Sequence, residues 1–139
     1  MSIGTKNKTW QIVILFGIGY AIVGIAFPNP SSQSQAQQIW RLAAWITSVI
    51  IFGIQIWYEH FRLHNLPRTI AMHVAISAAI GAFGLAVAAN IHSMHSITAN
   101  RPLLIVSLVL WPILIGVPAF VVAIIIALIL ARIKPIDKL

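Results

Sequence analysis

Polar and apolar positions in this chain separate into long blocks. Four apolar runs stand out: Trp10–Phe27, Ile39–Tyr58, Ile70–Ile91 and Leu103–Ala131. Each is near or above the roughly 20 residues that carry a helix across a bilayer. Apart from Arg41, no Asp, Glu, Lys or Arg interrupts them. Lipid offers no partner to open backbone groups, so helices or closed barrels are the only spanning solutions. Barrel strands alternate polar and apolar residues over about ten positions, and these runs do not. The pattern predicts one transmembrane domain over residues 1–139, with helices near 10–27, 39–63, 68–92 and 103–131. The expected fold is an all-α membrane protein: a four-transmembrane-helix antiparallel bundle with both ends on the inner side.

Composition agrees. The 139 residues are 60% hydrophobic and 8% charged, with a mean hydropathy of +0.95. A soluble domain carries roughly 25% charged residues, so this chain cannot cover a water-facing surface. Lys6 and Lys8 before an apolar run resemble a secretory signal, with Gly24–Ile25–Ala26 as small residues near a cleavage point. The first run is long for a signal core, which favours a retained helix. There is no cysteine, which excludes disulfides, thiolate metal sites and thiol redox chemistry.

The net charge of +7 reads as topology and not as a nucleic-acid footprint. Lys6, Lys8, Arg62, Arg68, Arg132, Lys134 and Lys138 fall on one side of the expected membrane, and Arg41 and Arg101 on the other. The positive-inside rule then places both termini and the middle loop in the cytoplasm. The expected location is a cell membrane, taken as a bacterial inner membrane. The connections are short. Pro28–Gln38 is an outer polar loop, and Asn65 and Pro67 suit the start of the third helix as N-cap and first-turn residues. Pro112 and Pro118 fall inside the fourth helix, which at 1.5 Å per residue extends about 43 Å and should kink or tilt.

Stepping along the third helix by three and four gathers His73, Ser77, Gly81, Gly84, Ala88, His92 and His95 on one face. Its middle is small, and small residues let helix backbones approach where no hydrophobic effect operates. The third helix is therefore expected at the centre of the bundle. The second helix offers a matching stripe of Ser48, Phe52, Gln55, Glu59 and Arg62. In an antiparallel hairpin Gln55 should reach Ser77 or His73, and Glu59 should pair with Arg62 or meet water.

Three of five histidines crowd the stretch from Trp57 to His73. His60 and His64 share a helix face if the second helix continues past Tyr58, a spacing that suits two metal ligands. A haem b between His60 and His73, or a divalent metal on His60, His64 and Glu59, is one use of them. The zinc-protease pattern fails, because Phe61 stands where its glutamate belongs. His60-x3-His64 and His92-x2-His95 resemble the histidine boxes of membrane desaturases superficially, but the pairs fall at opposite helix ends. The simpler use is interfacial: rings at head-group level, above all His92 and His95. His73 fits that least, since ionisable groups inside a membrane are costly and tend to serve a function.

No nucleophile–base arrangement or phosphate loop is present, and no acid lies within a span except Glu59 at its border. The leading expectation is a non-enzymatic multi-pass protein without a cofactor. It would act through helix packing, as an accessory or assembly subunit of a larger membrane complex or as a homo-oligomer in the lipid bilayer. Haem or metal binding is the first alternative, and an oligomeric channel or small transporter the second.

Overall fold

The computed structural model describes residues Ile3–Ala26, Gln35–Ser93 and Arg101–Ile133. They form four helices: α1 (Ile3–Ala26), α2 (Gln35–Phe61), α3 (Pro67–Ser93) and α4 (Arg101–Ile133). All four are long and apolar enough to cross a membrane. The ends move from their expected places. α2 starts four residues before Ile39 and stops at Phe61, not at residue 63, and α1 and α4 are longer than the apolar runs that marked them. Hydropathy marks lipid depth, whereas helices continue through the polar borders wherever backbone hydrogen bonding can continue.

The α2–α3 turn shows why α2 stops. Arg62 N–H still bonds to the Tyr58 carbonyl at 2.9 Å, and Asn65 N–H returns to the Glu59 carbonyl at 3.2 Å. Between them His64 takes a left-handed conformation with φ 52°, one that histidine tolerates better than most side chains. Asn65 was expected to cap α3. Its side-chain amide instead reaches back to Glu59, and Leu66 accepts the first α3 bond, from Ile70 N–H at 3.0 Å. Pro67 opens α3, where its missing N–H costs nothing.

α3 packs against all three other helices, most extensively against α4 and α1. Half of its span is buried, against 11% of the spans of α1 and α2 and 17% of that of α4. Against α1 the contacts climb together: Gly17 faces Ile80, Gly81 faces Tyr20 and Gly84 faces Ala21, so the two helices run the same way. Against α4 they climb oppositely, with Gly116 beside Ala75 and Ala79, and Asn90 reaching Leu104 and Ser107. α4 continues as helix through Pro112 and Pro118. Neither proline can donate to the carbonyl four residues before it.

Glycine sets the α1–α3 spacing. A Cβ on Gly81 would lie 2.4 Å from the Tyr20 Cβ, and one on Gly17 would lie 2.7 Å from Ile80 Cγ2. Backbones this close gain dispersion contacts, which drive packing in lipid. The buried apolar cluster lies elsewhere, where Ile56 of α2 meets Ile70, Ala71 and Val74 of α3 and Ala123 and Ala127 of α4.

α2 is the loosely held member. Among its described side chains, from Gln38 on, the buried ones are Gln55, Ile56, Glu59 and His60, all in the last two turns. From Gln38 to Ile54 every residue is half-buried or exposed. Trp45 is 72% exposed, and Gly53 has nothing within 4 Å of where a Cβ would sit.

Candidate functional site

The buried polar side chains collect where the end of α2 meets the start of α3. Glu59 projects from the last turn of α2 and is fully buried. Its Oε2 lies 2.7 Å from His73 Nδ1 and accepts from Asn65 Nδ2 at 3.1 Å. Its Oε1 accepts a longer bond from Gln55 Nε2 at 3.3 Å. The Gln55 amide also donates to Ser77 Oγ at 2.9 Å. The Ser77 hydroxyl has one proton and two carbonyls in reach at 3.0 Å, those of His73 in its own helix and Val13 in α1. Trp10 of α1 stands edge-on to the His73 ring, with centroids 6.0 Å apart.

The result is a polar knot of three helices: α2 through Gln55 and Glu59, α3 through His73 and Ser77, and α1 through the Val13 carbonyl. Helical spacing builds it. Gln55 and Glu59 are four apart on α2 and His73 and Ser77 four apart on α3, so each helix presents two polar groups one turn apart. A buried carboxylate is tolerable because hydrogen-bond donors surround it. Arg62, expected as its partner, is exposed and stands outside the knot.

The inner histidines part company. His73 is 6% exposed, with Nδ1 turned to Glu59. His60 is 3% exposed, stacks edge-to-face on Phe61 at 4.8 Å and has no hydrogen bond at Nδ1. His64 is exposed in the left-handed turn, so α2 does not carry it on one helical face with His60. Among the described residues no three His, Asp or Glu side chains converge as a metal-holding group. The Glu59 oxygens and His73 Nδ1 are engaged with one another and with two amides.

Of the other residues marked in the sequence, Ser48 is half-buried on α2, about two turns from Gln55 and outside the knot. Gly81 and Gly84 lie on the α1 face of α3. Ala88 is half-buried beyond them, and His92 is exposed in the last turn of α3. His95 lies outside the described residues.

Sequence reasoning missed a second polar tie at the far end of α3. Asn90 donates to the Leu104 carbonyl at 3.0 Å and to Ser107 Oγ at 3.2 Å, joining α3 to the start of α4. A lone asparagine inside an apolar run was the available signal. It also did not read Gly17 and Gly24, seven apart on one face of α1, as packing positions.

The last structural feature is a groove of about 330 Å³ between α3 and α4, bordered by Met72, Ala75, Ala79, Pro112, Gly116 and Phe120. Its walls are almost wholly apolar and it opens to the outside of the bundle. No protein-family model, curated protein or solved structure matches the chain.

Proposed function

We propose that this chain is a multi-pass integral membrane protein of non-enzymatic type that works through helix packing. It would serve as an accessory or assembly subunit, joined to copies of itself or to a larger membrane complex. The observation that carries this reading is the use made of Glu59. The one acid within a span is fully buried and is held by Gln55, Asn65 and His73. A group that coupled substrate or ion movement would be expected to face an open polar cavity. This one ties α2 to α3, and through Ser77 to α1. The proposed arrangement is an antiparallel four-helix bundle with α3 central. Its basic connections and both termini would face the cytoplasm.

The exterior supports the same reading. The groove between α3 and α4 has small side chains on both walls, and small residues let another backbone approach in lipid. The test is extraction from membranes in mild detergent, followed by native mass measurement, an absorption spectrum and metal analysis. A colourless, metal-free assembly of several chains supports the proposal. A monomer, or a haem band or bound metal lost in His73→Ala, overturns it.

A further inference from the structure

α3 meets its neighbours on different faces. α2 reaches it at His73 and Ser77, and α1 at Gly81 and Gly84. Steps of three and four place Met72, Ala75 and Ala79 on the other side of α3, where they form one wall of the groove. α1 and α2 therefore leave the groove open to the lipid. In lipid no hydrophobic effect favours covering such a groove, so whatever fills it must fit it by shape.

The floor is small and the α4 rim is large. Ala75 and Ala79 meet Gly116 closely enough that a Cβ on Gly116 would stand 3.4 Å from the Ala79 Cβ. Beside them Ile113 and Val117, four apart on one face of α4, are 55% and 59% exposed. Gly116 lies three residues after Ile113 and one before Val117, so rim and floor differ in depth by at most about 4.5 Å. Both rim side chains are β-branched, and a helix leaves such a side chain essentially one χ1 rotamer. They are stiff knobs beside a hole at their own depth, and they lose little freedom on entering one. Resting on the assembly proposed above, we infer that the groove holds a second copy of this chain. The Ile113–Val117 ridge of each α4 enters the α3–α4 groove of the other.

Insertion direction selects the geometry. The uneven spread of Lys and Arg gives every copy the same orientation, so a two-fold axis between two copies runs along the membrane normal. Such an axis moves no residue in depth. Ile113 and Val117 of the second copy arrive level with Gly116 and Ala79 of the first, and the exchange is reciprocal, as a two-fold interface requires. The two α4 helices run parallel and face one another through the same residues. The small floor lets the incoming backbone approach closely. An acyl chain would fit an apolar groove at any depth, and an unrelated helix would need its own bulky pair at this one. A second copy brings that pair by symmetry.

The chain has no cysteine, so single cysteines report on neighbouring copies without a background. Ile113→Cys, Val117→Cys and Ile115→Cys are made one at a time in the full chain. Ile115 is the control: it is 42% exposed at the same depth, on the opposite side of α4. Membranes are oxidised, and linked dimer is read on a non-reducing gel, since a disulfide forms only where Cα atoms come within about 7 Å. The expected result is linked dimer at residue 113 or 117 and none at residue 115. Native mass of the same proteins in mild detergent separates the interface from the assembly. A multichain assembly that links at none of the three positions, or as strongly at residue 115 as at the others, overturns the ridge-in-groove dimer and gives the groove to another protein or to lipid, while the assembly stands. A monomer that links nowhere overturns both.

Discussion

Gly81→Ala adds one methyl group at the tightest point between α1 and α3. The new Cβ would stand 2.4 Å from the Tyr20 Cβ and 3.4 Å from the Gly17 carbonyl oxygen. The Tyr20 Cβ is rigidly attached to its backbone, so no rotamer change relieves the contact. α1 has to retreat until the pair is at least 3.4 Å apart, a movement of about 1 Å. Overpacking of this kind costs about 1–3 kcal/mol. The same retreat stretches the bond from Ser77 Oγ to the Val13 carbonyl, 3.0 Å in the native protein, and an interhelical bond in a membrane contributes about 0.6 kcal/mol on average. The expected loss is therefore about 2–3 kcal/mol. It is read by reversible unfolding in mixed detergent micelles, with helix content by circular dichroism as the control. Gly53→Ala provides the contrast. Nothing lies within 4 Å of its added methyl, and alanine is favoured over glycine inside a helix by up to about 1 kcal/mol, so that variant should match or exceed the wild type. Equal losses in the two variants would mean that α1 and α3 do not meet at Gly81.

Three further outcomes follow from the polar ties. Ser77→Ala removes the acceptor of Gln55 and the donor to Val13, and should cost about 1–2 kcal/mol in the same unfolding assay. Asn90→Ala should cost about 0.6–1.7 kcal/mol. Because Asn90 binds the start of α4, hydrogen exchange should accelerate around residues 104–110 and stay unchanged near Glu59. Ala79→Leu fills the groove beside Gly116. It should leave the isolated chain folded but lower the native mass of the assembly, read on extraction in mild detergent.

The four spans were legible because lipid imposes a simple rule: about twenty apolar residues without charge. The bond from Gln55 to Ser77 was legible too, since a four-residue polar spacing on each of two adjacent helices leaves few other ways to satisfy both. The helix ends were not, because backbone bonding and turn geometry decide them. The left-handed backbone at His64 ends α2 before the His60–His64 spacing can act on one face. The partner of Glu59 was misread for a related reason. Three residues along α2, Arg62 looked like a neighbour, but it lies just past the helix end and its long side chain can reach water. The imidazole of His73 is held on the opposite helix at the depth where Glu59 is buried. Gly17 went unnoticed because a glycine in an apolar run signals nothing until its facing residue is known.

The buried Glu59–His73 contact is the centre of this account, and a double-mutant cycle tests it most directly. Glu59→Gln, His73→Leu and the combined variant are unfolded under identical conditions. Removing one partner of a buried pair leaves the other uncompensated and costs about 3–5 kcal/mol. The combined variant should therefore lose less than the two single losses added, with a coupling of about 1–3 kcal/mol. Losses that add to within about 0.5 kcal/mol would mean that the two side chains do not meet, and that something else holds α2 to α3.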